Sequence, residues 1–295
     1  MAHSHLLVGA SDTPVHPAIR RIRVADLREV LAKGWEDFAA MPTHAVFLCA
    51  IYPIVGIVIA SVTFGYALLP LLYPLAAGFT LVGPLAAISL YELSRQREAG
   101  RDPAAFMHTD ILRSRSIGAI MALGVVLLLI FLIWVAAANA IYVANFGYAS
   151  PESIQGFIRD LFTTSAGWNL IIVGNAVGFL FAVLVLAISV VSFPLLLDRD
   201  VGAAVAISTS VRAVLANPVP MATWGLIVAV LLLLGTLPAF LGLTVVLPVL
   251  GHATWHLYRK VVDPGAAPPP ALRPPPKGPR YAAEFPAALF PVEHR

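Results

Sequence analysis

The chain has 295 residues, of which 59% are hydrophobic and 12% charged, and its mean hydropathy is +0.85. Soluble domains carry about a quarter charged residues, so this composition excludes a soluble globular protein and predicts an integral membrane protein. The net charge of +3 gives a basic pI, ≈ 9.2. Basic residues at membrane borders orient spans and attract anionic lipid, so we predict no nucleic-acid partner.

Six apolar runs are long enough for membrane-spanning helices, which need about 20 residues each. The runs are continuously apolar and lack the alternation of barrel strands. The predicted fold class is therefore all-α, a polytopic bundle of six transmembrane helices with additional interfacial amphipathic helices. We place the spans at about 45–66, 70–93, 117–143, 168–197, 219–238 and 240–258.

All Lys and Arg residues except Arg159 fall in segments that alternating spans place on one side of the membrane. The positive-inside rule predicts that this side is cytoplasmic and that both termini lie there. No apolar signal stretch precedes the first span, so that span is predicted to be the insertion signal. We expect a multi-pass protein of the bacterial inner membrane.

Residues 26–41 are predicted to form an amphipathic helix in the inner membrane interface. Its apolar residues recur near helical spacing at Leu27, Val30, Leu31, Phe38 and Met41. Trp35 and Phe38 are the predicted interface anchors. Asp26 is the predicted N-cap, with Glu29 three residues on as in a capping box. The helix serves either as an anchor for the first span, the simpler interpretation, or as a partner-binding surface.

Two segments of similar pattern predict an internal repeat, at about 34–95 and 210–259. In each, a helix and a proline precede two spans, and the second span ends with an aromatic residue and then arginine. The matched residues at the ends are Pro84, Tyr91 and Arg95 in the first unit and Pro248, Trp255 and Arg259 in the second. An even number of spans separates the units, so the repeat would be parallel. The alternative is coincidence, since these residue types are common at membrane borders.

Glu92, near the inner end of the second span, is the only acid that we expect within reach of the hydrocarbon. Intramembrane acids are candidates for ion or proton pathways. Arg95 lies three residues on, however, and the simpler interpretation is an ion pair at the membrane border. Asp102 and Pro103 then predict the start of a second cytoplasmic helix, over 102–115.

Ser150 and Pro151 predict the start of an external helix over 152–163. Its apolar stripe consists of Ile154, Phe157, Ile158, Leu161 and Phe162. Phe157 and Phe162 are the predicted anchors in the outer interface. Docking of an external partner is the alternative to anchoring.

Asn139, Asn169 and Asn175 are the remaining candidates for a polar pathway, in or beside the third and fourth spans. Gly174 and Gly178 flank Asn175 at a spacing typical of close helix packing. We therefore weigh a structural hydrogen bond between helices against a substrate site at Asn175.

His252 and His256 lie four residues apart on the last span and share one helical face, as two metal or haem ligands can. No HExxH motif or His–Cys cluster accompanies them, and we predict no bound cofactor. Cys49, in the first span, is the only cysteine, which excludes an intrachain disulfide. No phosphate loop, nucleophile elbow or paired carboxylate indicates an enzyme.

Three regions are predicted from these patterns. Residues 1–19 form a disordered N-terminus, residues 20–262 the six-span membrane domain, and residues 263–295 a proline-rich cytoplasmic tail that is largely disordered.

Several stretches resemble an uncharacterised bacterial family, domain of unknown function 2189. The similar residues are 193–201, 211–218, 34–38, 83–84 and 92–95, and the resemblance covers roughly residues 20–262. It implies a six-span membrane protein without an established activity. Members are sometimes labelled as related to cytochrome c oxidase subunit I, which implies an accessory role near a respiratory complex.

Three function classes fit the sequence. We favour a non-enzymatic scaffold or accessory subunit, whose partners are the lipid bilayer and either another membrane protein or further copies of the chain. The second is a transporter or channel for a small solute, and the third is a haem- or metal-binding redox protein that uses His252 and His256. A polar cavity lined by Asn169, Asn175 or Glu92 would favour transport, and a dry bundle would favour the scaffold.

Overall fold

A computed structural model describes residues 17–42, 69–71, 74–75, 83–101, 116–148, 151, 153–238 and 240–263. Over these residues the chain is helical, with turns and one isolated antiparallel bridge between Ile19 and Val262. The α-helices are α1 (Asp26–Ala40), α2 (Gly83–Ala86), α3 (Ile88–Glu98), α4 (Ile117–Phe146), α5 (Ile154–Thr163), α6 (Ser165–Ser189), α7 (Ser192–Asp198), α8 (Ala203–Ala216), α9 (Pro218–Thr236) and α10 (Leu243–Val261). The all-α prediction is confirmed for this part of the chain.

Three helical stretches among the described residues are long and apolar enough to cross a membrane. They are α4, the continuous stretch Ser165–Asp198 formed by α6 and α7, and α9. They match the third, fourth and fifth predicted spans. The sixth predicted span is helical as α10 and contains Pro248. Only parts of the second, including α2 and α3, are described, and the first lies outside the described residues, so the count of six and the orientation of the termini stay predictions.

The predicted amphipathic helix is present as α1, but its predicted cap is wrong. Ala25 is the N-cap residue and Asp26 is already helical. The Asp26 carboxylate instead accepts a hydrogen bond from the backbone N–H of Arg23, at 2.7 Å. Glu29 forms ion pairs with lysines, so no capping box forms. Asp favours both helix N-caps and turns, so the sequence alone did not show that the Asp26 side chain would accept a hydrogen bond in the turn before α1.

The external helix is present as α5, and it begins later than predicted. Ser153, rather than Ser150, is the N-cap, and its Oγ accepts a hydrogen bond from the backbone N–H of Gly156 at 3.0 Å. Ser150 and Ser153 both precede the apolar stripe, and serine is typical of a helix N-cap.

Residues 20–22, before α1, are bound by hydrogen bonds and an ion pair to the C-terminal ends of α8 and α10. Arg20 donates its backbone N–H to Val261 at 2.7 Å. Asn217 accepts from the backbone N–H of Ile22 at 2.8 Å and donates to the carbonyl of Arg20 at 3.1 Å. An ion pair of 3.0 Å joins Arg20 and Asp263. These contacts place α1 alongside α10.

A buried core joins residues of α1, α3, α4, α6, α7, α8, α9 and α10. Its largest fully buried side chains are Trp224, Trp255, Tyr258 and Phe193. Tyr258 donates its hydroxyl to Asp198 at 2.6 Å, so its polar end also has a partner. By contrast, the three candidate spans leave broad apolar faces exposed, including Ile133, Ile172, Phe179 and Leu226.

Several predictions concern residues outside the described ranges. They are the first span with Cys49, the helix over 102–115 and almost all of the proline-rich tail. Most of the first repeat unit also lies there, so the repeat and the three-region division stay predictions.

Candidate functional site: a buried polar cluster around Asp37

Three helices, α1, α3 and α10, approach one another closely at the end of the protein that is predicted to be cytoplasmic. A Cβ atom at Gly34 would lie 2.6 Å from the Ala253 Cβ and 2.8 Å from the Val249 carbonyl oxygen. A Cβ at Gly251 would lie 2.5 Å from Leu90 Cδ1. Glycine is therefore required at both positions, because any side chain there would push α1 or α3 away from α10.

Asp37 is the centre of the site, and only 4% of it is exposed. Its Oδ2 accepts hydrogen bonds from Ser94 Oγ at 2.6 Å and from His256 Nε2 at 2.8 Å. Its Oδ1 accepts from Arg97 Nη1. We call Asp37, Ser94, Arg97, His252 and His256 the Asp37 cluster.

His252 extends the cluster into the protein and is fully buried. Its Nδ1 lies 2.8 Å from Ser94 Oγ. Ser94 has one hydroxyl hydrogen and donates it to Asp37, so the Nδ1–H of His252 must donate to Ser94. A continuous chain of hydrogen bonds therefore joins His252 to Asp37 through Ser94.

The charge of Asp37 is maintained by its neighbours. Burial alone would raise the pKa of this carboxyl, but hydrogen bonds from His256, Ser94 and Arg97 outweigh burial and lower the pKa below its usual 3.8. Asp37 is therefore an anion at neutral pH. A buried anion of this kind is stable only while its partners remain in place.

A polar pocket of about 410 Å³ opens beside the Asp37 cluster. Its wall consists of Glu29, Lys33, Glu36, Asp37, Arg97, Glu98, His256, Arg259 and Lys260. Glu29 pairs with Lys260 at 2.6 Å and with Lys33 at 3.0 Å, and these hydrogen bonds lower the pKa of Glu29 to about 2. Glu98 accepts from Trp255 Nε1 at 2.8 Å and from Arg259 at 3.0 Å. Both positive and negative side chains therefore line this pocket.

The two predicted histidine ligands both belong to the Asp37 cluster. His252 contacts Ser94, and His256 contacts Asp37. Within the described ranges, no three His, Cys, Asp or Glu side chains are grouped as metal ligands. The chemistry that the arrangement offers is hydrogen bonding and proton exchange along the chain from His256 to His252.

Glu92 lies near this cluster without joining it and is 4% exposed. Arg95 donates to it from Nε at 2.7 Å and from Nη2 at 2.6 Å, and Gln96 also donates to it. The predicted ion pair with Arg95 is confirmed.

The three predicted asparagines lie on α4 and α6, away from Glu92 and the histidines. Asn139 is exposed on α4. Asn169 donates to the side-chain oxygen of Asn145 at 2.7 Å, which links α6 to α4. Asn175 donates to the carbonyl of Ile171 on its own helix at 2.7 Å and borders an apolar cavity.

The predicted anchors divide between buried and exposed positions. Trp35 is 54% exposed, and its ring centroid lies 5.6 Å from that of Phe38, which is buried. Phe162 is exposed and packs against Trp168. Phe157 packs against Tyr142 and Phe146.

Asp37 and Ser94 were absent from the predicted site residues. One signal could have identified Asp37, because it follows Val30 by seven residues and Gly34 by three, on the same buried face of α1. An acid on an otherwise apolar helix face needs a partner. Ser94 carries no comparable signal in the sequence.

Comparison with known families gives one match. Residues 71–198 match the model of domain of unknown function 2189, described as a predicted integral membrane protein. The predicted resemblance is confirmed over this part of the chain, which includes α2 to α7, Ser94 and Arg97. Searches of curated proteins and of solved structures found no match.

Proposed function

We propose that this protein, whose residues 71–198 match a membrane-protein family, is a non-enzymatic scaffold or accessory subunit of a complex in the bacterial inner membrane. A respiratory complex is the first candidate, on the label given to relatives of the family. The helices that bind lipid and partners would be the exposed spans and the interfacial helix α1.

The observation that carries this proposal is that predicted pathway residues already have partners within the protein. Glu92 is neutralised by Arg95, Asn169 is paired with Asn145, and Asn175 is bonded to its own helix. In the described part of the protein these side chains do not share an aqueous cavity. Polar groups paired in this way support helix packing rather than passage of a solute.

A second observation supports binding of a partner or the membrane surface by α1. One face of α1 packs on α10 through Gly34, while Trp35 is largely exposed on another face. Exposed tryptophan is enriched both at membrane interfaces and at protein interfaces.

The test is gentle purification of the full chain from its native membrane, with mass spectrometry of what remains bound. We expect a stoichiometric membrane-protein partner, and expect Trp35→Gln to reduce its recovery. Ala32→Gln is the matched control, since it places the same side chain at another exposed position of α1. A preparation without a protein partner would contradict the scaffold proposal. Equal recovery of the partner with both variants would contradict the role of α1. A visible absorbance band in the same preparation would instead favour the haem alternative.

The Asp37 cluster supports a second candidate, a small-solute transporter or channel. Its hydrogen bonds run from the polar pocket at His256 to the fully buried His252. Such chains carry protons in membrane proteins. In liposomes loaded with a pH-sensitive dye, a proton or solute flux that Ser94→Ala abolishes would support transport, and absence of flux with the wild-type protein would sink it.

A further inference from the structure

A second cavity, which we call the α4–α6 cavity, lies between two of the candidate spans. Its volume is about 620 Å³, within the usual range for ligand sites of about 300–1,000 Å³. Trp134 and Ala138 of α4 form one wall, and Gly174 of α6 forms the other. Phe157 of the amphipathic helix α5 closes one end.

The surface of this cavity is apolar, and the polar groups at its edge already have partners. Trp134 Nε1 donates to the carbonyl of Pro74 at 2.8 Å, and Asn175 donates to Ile171. A ligand with a buried polar group would lose hydrogen bonds to water without replacement. The cavity therefore suits a hydrocarbon ligand.

The cavity is partly open, and exposed apolar side chains of the same two spans lie beside its lining residues. On the same two spans, Ile133, Ile172 and Phe179 are exposed apolar residues beside it. A hydrocarbon chain can therefore enter sideways from the bilayer. The surrounding lipid is also the most concentrated source of such chains.

Charge on α5 fits the other end of a phospholipid. Arg159 is exposed on this helix, where its Nε lies 3.7 Å from an Asp160 carboxylate oxygen, and it is the only basic residue on the predicted outer side. Amphipathic helices of this kind lie at the level of lipid head groups. An exposed ion pair of this length is weak, so the Arg159 guanidinium can exchange Asp160 for a lipid phosphate.

We propose that the α4–α6 cavity binds one acyl chain of a bilayer phospholipid, whose phosphate is contacted by Arg159 on α5. This site is independent of the scaffold proposal, because it requires no protein partner.

Gly174 offers a way to block the cavity. A Cβ atom at Gly174 would meet nothing within 4 Å, so a side chain can extend into the space without displacing backbone. Gly174→Phe should fill the cavity. Ala176→Phe is the matched control, since Ala176 is exposed on the same helix and does not line the cavity.

The full chain, reconstituted in vesicles of phosphatidylethanolamine and phosphatidylglycerol, is extracted in detergent and its retained lipid measured by native mass spectrometry. We expect one tightly held phospholipid with the wild type and with Ala176→Phe, and its loss with Gly174→Phe. Arg159→Gln should weaken retention of phospholipid by about tenfold, the effect of one charge-assisted contact. Equal retention in all variants, or retention of free fatty acid alone, would overturn the proposal.

A phospholipid with a photoreactive acyl chain gives a second readout that needs no variant. We expect labelled peptides from 134–142, 154–162 and 170–175, which line the cavity. Labelling spread evenly over the exposed faces of α4, α6 and α9, or a cavity already occupied by the chain itself and hence unlabelled, would also overturn it.

Discussion

The Asp37 cluster and the α4–α6 cavity show how differently two parts of one helical membrane protein are packed. At the Asp37 cluster, glycine residues allow α1, α3 and α10 to pack closely, and both oxygens of the Asp37 carboxylate accept hydrogen bonds. At the cavity, α4 and α6 are in contact through Asn145 and Asn169 and through Trp134 beside Gly178, but an apolar space of about 620 Å³ remains beside these contacts. Specific polar contacts determine the helix arrangement at the cluster, whereas the residues that line the cavity are mostly apolar.

Paired glycine substitutions give the largest expected contrast between these regions. Gly34→Ala places a methyl group 2.6 Å from Ala253, and we expect a loss of about 3 kcal/mol from overpacking. Gly174→Ala meets open space, and we expect a gain of up to about 1 kcal/mol from helix propensity. Reversible unfolding in mixed detergent micelles, followed by circular dichroism, measures both. Equal stability of the two variants would show that α1 and α10 are not in close contact.

Removing the central charge tests the polar side of the comparison. Asp37→Asn leaves Arg97 without its anion and disturbs the bonds to Ser94 and His256, and we expect a loss of about 2 kcal/mol. The counterpart Asn169→Leu removes only the exposed bond to Asn145, for which we expect about 0.6 kcal/mol. The same unfolding assay compares them, and a larger loss for Asn169→Leu would reverse our ranking of the two regions.

Acid should weaken the Asp37 cluster and spare the cavity. The pKa of Asp37 is lower in the folded protein than its usual 3.8, so its contribution to stability is complete above that value and is lost as the pH falls towards the folded-state pKa. Wild-type stability should fall more than that of Asp37→Asn between pH 5 and the acid limit of the assay. Glu29, with a pKa of about 2, titrates in both proteins and therefore cancels in the difference. Parallel pH profiles would contradict the assigned environment of Asp37.

A smaller effect is expected at the segment that fastens α1 to α10. Asn217→Ala removes the two hydrogen bonds to Ile22 and Arg20 and a third to the Ala213 carbonyl, with an expected cost of about 1 kcal/mol. Hydrogen exchange should show faster exchange of the Ile22 amide while amides of α4 are unchanged. Unchanged exchange at Ile22 would mean that the segment is held by its other contacts.

How far the sequence predicted the structure differs between elements. The amphipathic helices α1 and α5 were predicted from the spacing of apolar residues, because each carries one apolar stripe; the stripe is largely buried in α1 and partly exposed in α5. The first helix begins at Asp26 as predicted, but Ala25 rather than Asp26 is its N-cap; the other begins later than predicted, since Ser150 carries the same cap signal as Ser153. The pairing of Glu92 with Arg95 was predicted because both residues lie on one turn of a helix.

The candidate site was predicted only in part. The spacing of His252 and His256 placed them on one helical face, and that is where they lie. Their partners Asp37 and Ser94 are distant in the sequence. The apolar face of α1 indicates that Asp37 needs a partner, but no local pattern specified which residue that is, and none indicated Ser94.

The sequence by itself determined the membrane class, three of the spans and the two amphipathic helices, because hydrophobic length and periodicity are local properties of the chain. Only the tertiary structure decided that α1, α3 and α10 meet at Asp37, and that α4, α5 and α6 line a cavity. Those outcomes depend on which helix faces carry side chains small enough for the two helices to touch. At Gly34 and Gly251 the absence of a side chain allows contact, and the same residue type at Gly174 faces open space.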